Sequence, residues 1–240
     1  MDFAPFTPKT WVTRADYDLG NEAETIKGFG RKGEMRAAVF VPKDAPGKRP
    51  VVVFLHGRHE ACYGGTYNPK AWPCGKGQTD IPSYLGYNAA ATALASHGNV
   101  VVSISANAIN ALDGSYSDDG GAVARGQLVL DHLSLLQRAD TGQEPRLSPL
   151  LTGKLDLQHV GLMGHSRGGD GVVRAALLNM QRTSPFGIRA VLPLAPTDFG
   201  RMTLPDTNTA VVLPYCDGDV SDLQGQHFSD DSRTAFGDDV

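Results

Sequence analysis

The sequence predicts an α/β fold with a mostly parallel central sheet flanked by helices. Two observations carry this. Short apolar, β-branched runs recur along the chain, and longer segments with helical spacing alternate with them, which is the pattern of βαβ units. A third observation is size, since 240 residues are enough to bury one large core, so a single domain spanning 1–240 is expected.

The strand candidates are Met35 to Val41, Val51 to His56, Asn99 to Ser105, His159 to Gly164, Ile188 to Leu194 and Ala210 to Tyr215. Between them, Tyr87 to His97 is alanine-rich, Val129, Leu133 and Leu136 recur at spacings of four and three, and Val172 to Met180 holds good helix formers. Pro42, Pro46, Gly47 and Pro50 mark a turn before the first central strand. The longest irregular stretch, Arg58 to Gly86, carries Tyr63, Tyr67, Trp72 and Tyr84, and loops of this length are often functional.

Composition excludes several classes. Apolar residues make up 41% and charged residues 20%, as in an ordinary globular chain. A net charge of -4 with no Lys/Arg-rich block gives no footprint for nucleic acid. The densest apolar run, Val51 to Leu55, is strand-sized, so no membrane span is expected. The start, MDFAPFTPKTW, lacks the pattern of a secretory leader, leaving a cytoplasmic protein or one whose leader is not in this sequence. Cys62 and Cys74 lie twelve residues apart and either form a disulfide, with a nominal gain of about 3 kcal/mol, or stay reduced. Cys216 ends an apolar run and is expected to be a small buried hydrophobe.

The strongest chemical signal is Gly164-His165-Ser166-Arg167-Gly168, directly after HVGLM and before a helical segment. A strand that turns at once into a helix strains the residue at the turn, and small residues two before and two after let the chains pass. Such a turn holds Ser166 at the carboxyl end of the sheet, beside a helix N-terminus that favours developing negative charge. In a chain with 28 glycines the pattern alone could arise by chance; the flanking strand and helix give it weight. A second signal is VVVFLHGR, a strand ending at His56-Gly57. It marks the place for an oxyanion loop, with the backbone N–H groups of Arg58 and Arg167 as donors.

The third signal is Tyr215-Cys216-Asp217-Gly218-Asp219-Val220, where Asp219 is the expected carboxylate orienting a histidine. Asp217 competes closely and Asp198 more weakly. Of seven histidines only His227 follows Asp219, by eight residues. That leaves no room for the helix and strand that normally return a base to the site, so a solvated loop role is expected for His227. The last 21 residues hold no β-branched run. The expectation is a chain short of its C-terminal strand, helix and catalytic histidine.

With these residues in view, the chain from about Met35 onward resembles the α/β-hydrolase superfamily. GHSRGG after HVGLM, with VVVFLHGR upstream, is similar to bacterial serine esterases related to chlorophyllase-like and cutinase-like polyester hydrolases. The resemblance implies an α/β-hydrolase fold and a Ser-His-Asp acyl-enzyme mechanism. The implied substrate is a small-molecule or polymeric ester, with no cofactor and no metal. The Ala/Gly/Asp-rich style resembles exported actinobacterial hydrolases, which implies a Cys62–Cys74 disulfide and secretion. The aromatic loop from Tyr63 to Tyr84 is expected to wall the pocket, stapled over it by that disulfide. A peptidase or amidase with the same triad, or a binding protein that has lost its base, are the competing readings.

Overall fold

The computed structural model describes residues 10–66 and 70–237, with seven strands in one sheet. Tyr67 of the aromatic loop lies outside the described residues, as do residues 1–9 and 238–240. In chain order the strands are β1 (Val12–Asp18), β2 (Arg36–Pro42), β3 (Arg49–Leu55), β4 (Val100–Ile104), β5 (Leu155–His165), β6 (Ile188–Leu194) and β7 (Asn208–Thr209). They lie in the order β1-β2-β4-β3-β5-β6-β7. The pairs β1–β2 and β2–β4 are antiparallel, and the remaining pairs are parallel.

A strand covered on both faces can be apolar at every position, and β3 shows the rule. Val51, Val53 and Leu55 enter one core, while Phe54 and the partly buried Val52 enter the other. The first core is closed by α3 (Ala122–Asp140) and α4 (Arg167–Met180), which touch closely at Gly126, where a Cβ would lie 2.9 Å from Ala175 N. The opposite face is covered by α1 (Asn88–Ser96) over Phe40, Phe54 and Val101. Past α1 that face is open, as an apolar groove of about 650 Å³ lined by Val52, Phe54, Leu94, Met163, Leu192 and Leu194.

Among the elements that were not anticipated, three shape the sheet and its surroundings. Strand β1 buries only Tyr17 among its seven residues, so it carries no burial signature. Helix α2 (Asn107–Tyr116) has no side-chain cap of its own. Its cap comes from the buried Glu34, whose carboxylate accepts from Ser105 Oγ (2.7 Å), Asn107 N (2.5 Å) and Ala108 N (3.0 Å). Helix α5 (Gln226–Phe236) buries Phe228 and Ser232, one helical turn apart, in the segment expected to lack an apolar element. The predicted strand Ala210 to Tyr215 is shorter and earlier: β7 pairs at Asn208 and Thr209, and only Val212 bridges to Leu194 beyond. Tyr215 is almost fully exposed.

Cys62 and Cys74 form a disulfide with Cα atoms 5.7 Å apart. It staples the loop onto Ala111 and Leu112 of α2. Replacing both cysteines by serine should cost about 3 kcal/mol through the larger entropy of the unfolded chain, read as a lower urea midpoint with a steeper slope, since the unlinked unfolded chain exposes more surface. Cys216 corrects an expectation: it is exposed, at φ 60° in the turn after β7.

Candidate active site

Ser166 joins β5 directly to α4 with φ 54° and ψ −123°. Side chains rarely adopt positive φ, and such strain persists only where the surroundings enforce it. The surroundings here are tight. Ser166 N–H donates to Leu194 O on β6 at 2.9 Å, and Ser166 O accepts from Gly169 N at 2.8 Å. A Cβ at Gly164 would lie 2.0 Å from Gly168 O, and one at Gly168 would lie 2.4 Å from Leu55 O at the end of β3. No residue but glycine fits either position.

The segment after β3 approaches from the other side. A Cβ on Gly57 would lie 3.0 Å from Ser166 Cβ, so the two strand ends touch at the serine. The buried His56 ring orients this segment. Its Nε2 accepts from Ala106 N–H at 2.9 Å, which leaves the proton on Nδ1 to donate to Gly57 O at 2.8 Å. Burial pushes the His56 pKa down to about 3, so the ring stays neutral. Asn110 Nδ2 of α2 donates to the same Gly57 oxygen at 3.1 Å. In a trans peptide the C=O and N–H point opposite ways, so fixing the Gly57 carbonyl fixes the Arg58 N–H. That N–H meets no acceptor among the described residues. The Arg167 N–H is the first of α4 and lies among the four that helix geometry leaves without an intrahelical acceptor.

Ser166, Arg58, Arg167 and Asp219 all line one cavity of about 260 Å³, with Thr197 and Phe199 among the other walls. All four residues expected to form the site are therefore brought together. Asp217 is turned to a local task, its Oδ1 accepting from Asp219 N at 2.9 Å. Tyr63, Trp72 and Tyr84 do not line this cavity, contrary to the expected aromatic wall. Tyr84 is buried under α1, Trp72 packs with the disulfide over α2, and Tyr63 is exposed. The aromatic wall is Phe199, over which the Arg167 guanidinium sits at 5.3 Å.

His227 is not in a solvated loop. It lies in the first turn of α5 with Nδ1 3.7 Å from Oδ2 of the buried Asp198, too far for a hydrogen bond. Burial pushes the Asp198 carboxyl up, against the lowering effect of His227. No histidine is among the described residues lining the Ser166 cavity. His165 stands beside the serine, and burial, helped by neighbouring His59, lowers its pKa despite Asp217 and Asp219. Asp170, in the first turn of α4, is a buried acid that the sequence did not disclose. Burial raises its pKa to about 7, although Thr197 Oγ1 donates to it at 2.8 Å.

No family model matches this chain, and no curated protein matches it.

Proposed function

We propose that this chain is a serine hydrolase of the α/β-hydrolase type, acting on carboxylic esters through Ser166. The backbone of Ser166 carries the reading: a serine held at φ 54° between strand and helix, enforced by glycines that admit no side chain. In the mechanism Ser166 Oγ attacks the ester carbonyl and its proton passes to a histidine that Asp219 would orient and that is not among the described cavity walls. The N–H groups of Arg58 and Arg167 hold the oxyanion, the protonated alcohol leaves, and water releases the acid. No cofactor or metal enters this scheme. A substrate with an apolar acyl or alcohol group suits the Phe199 wall. The disulfide supports secretion, since such bonds persist in oxidising compartments; no described helix is long and apolar enough to cross a membrane.

A panel of p-nitrophenyl esters and aminoacyl amides, run beside labelling with an organophosphonate, tests the reading. Ester turnover with labelling at Ser166 supports it, amide turnover moves it to a peptidase, and neither outcome on any substrate leaves a non-catalytic binding protein. The absence of histidine among the described cavity walls is the observation that favours this last alternative.

His227→Ala is expected to change turnover by less than about twofold, because removing a residue that does not touch the reacting atoms leaves transition-state binding intact. Its Nδ1 faces Asp198, its Nε2 lies 3.5 Å from the Arg201 guanidinium, and it is not among the residues lining the Ser166 cavity. A loss of several orders of magnitude in kcat would instead make His227 the base and Asp198 its partner.

A further inference from the structure

The side chains of Arg58 and Arg167, as distinct from their amides, meet at a single buried carboxylate. Asp113 of α2 has no exposed side-chain surface. Its Oδ1 accepts from Arg58 Nε at 3.2 Å, and its Oδ2 accepts from Arg167 Nη1 at 2.8 Å and from Arg125 Nη2 at 2.9 Å. Arg125 of α3 is itself wholly buried, and its Nη2 also donates to Asn110 Oδ1 at 2.7 Å. Asn110 is the residue whose Nδ2 holds the Gly57 carbonyl. One face of α2 therefore grips the Gly57–Arg58 peptide through Asn110 and the Arg58 side chain through Asp113, and the same Asp113 grips the first residue of α4.

We propose that Asp113 is a positioning residue that sets the spacing of the Arg58 and Arg167 amides around the oxyanion. The inference rests on the serine hydrolase reading above. Two amides from different parts of the chain must hold one oxygen at hydrogen-bond distance; His56 and Asn110 fix the direction of the Arg58 N–H, but neither bonds Arg167. A shared carboxylate joins the side chains of the two residues that carry these amides. Charge-assisted bonds to a buried carboxylate are short and strong. Three guanidinium groups around one carboxylate also leave net positive charge beside the place where negative charge develops.

The test uses Arg58→Met and Arg167→Met, singly and together, which keep the backbone amides and the Asp113–Arg125 pair, and Asp113→Asn. Each is assayed for the rate of Ser166 phosphonylation, and for kcat and KM on an ester and its thionoester. An oxyanion site discriminates oxygen from sulfur, so the ester-to-thionoester ratio reports its geometry, which a loss of fold stability would not move. The double methionine variant should lose about tenfold or more in kcat and phosphonylation, part of the roughly 100- to 1,000-fold that outright loss of one donor costs. Its KM should stay within about twofold and its ester preference should fall. A folded double variant with wild-type rates and ratio would overturn the proposal. Should Asp113→Asn fail to fold because Arg125 is left unpaired, the methionine variants decide. If wild-type Ser166 does not react with the phosphonate, the hydrolase reading fails and takes the proposal with it. If it reacts and the variants match it, only the role of Asp113 fails.

Discussion

Ser166→Ala is expected to abolish covalent labelling by an organophosphonate and to remove serine-dependent ester turnover. In a site with every part in place the loss is on the order of a million-fold in kcat. The substitution deletes one oxygen, and alanine tolerates the backbone no worse than serine does, so the fold should persist. What disappears is the bond-forming step itself. The amides of Arg58 and Arg167 remain, and in the proposed mechanism they alone should support a residual rate above that in water. Because no histidine lines the described cavity, acylation and deacylation should both be slow in the wild-type chain, since the base serves in each step. Slow p-nitrophenol release without a burst would show this, and Ser166→Ala would remove the serine-dependent part of that release. Labelling that persisted at another serine of the variant would sink the assignment of the nucleophile.

The parts of the fold legible in the sequence are those with local causes. Strands β2, β3 and β4 read as dense apolar runs because both faces of the sheet are covered there, and the elbow follows from glycine spacing that no other residue can meet. Helices α2 and α5 were hidden for a different reason. Each presents few apolar residues and is held by partners far away in sequence: Glu34 caps α2 from a distance of more than seventy residues, and Ser232 of α5 accepts from Leu204 N–H. The same holds at the site. Ser166, Arg58, Arg167 and Asp219 could be named because strand ends in such folds gather at one edge. Asp113, Arg125 and Asp170 could not, since an aspartate in Ala111-Leu112-Asp113-Gly114 carries no mark of the two arginines it joins. The aromatic loop misled for a related reason: aromatic content signals burial, but the burial was against α2 and beneath α1, away from the serine.

Asp170 gives the largest effect on stability. The residue is 2% exposed, and burial, with Asp198 adding repulsion, raises its pKa from 3.8 to about 7. In the unfolded chain the group releases its proton near the ordinary carboxylate value, whereas in the folded protein it holds the proton to about neutrality. Between these two pH values the folded state binds more protons than the unfolded one, so this group's contribution to stability falls as pH rises from about 4 to about 7 and is level beyond. His56 and His132, both held neutral by burial with pKa values pushed down to about 3, act in the opposite sense. Their unfolded forms take up protons below about 6.5, so stability is lost as pH falls through that value. The wild-type curve therefore mixes opposing slopes, and a comparison isolates the acid. In Asp170→Asn the side-chain oxygen still accepts from the Thr197 hydroxyl and nothing titrates. The unfolding free energy of the variant minus that of the wild type should climb across pH 4 to 7, by a few kcal/mol at most given about 1.4 kcal/mol per pH unit per proton. At pH 8 the variant should be the more stable of the two, since an ionised buried carboxylate without an ion-pair partner is costly. Urea unfolding of both proteins at half-unit pH intervals measures the difference directly. A difference that stays constant from pH 4 to 8 would mean that Asp170 titrates normally, with enough solvent or counter-charge reaching it to cancel the effect of burial.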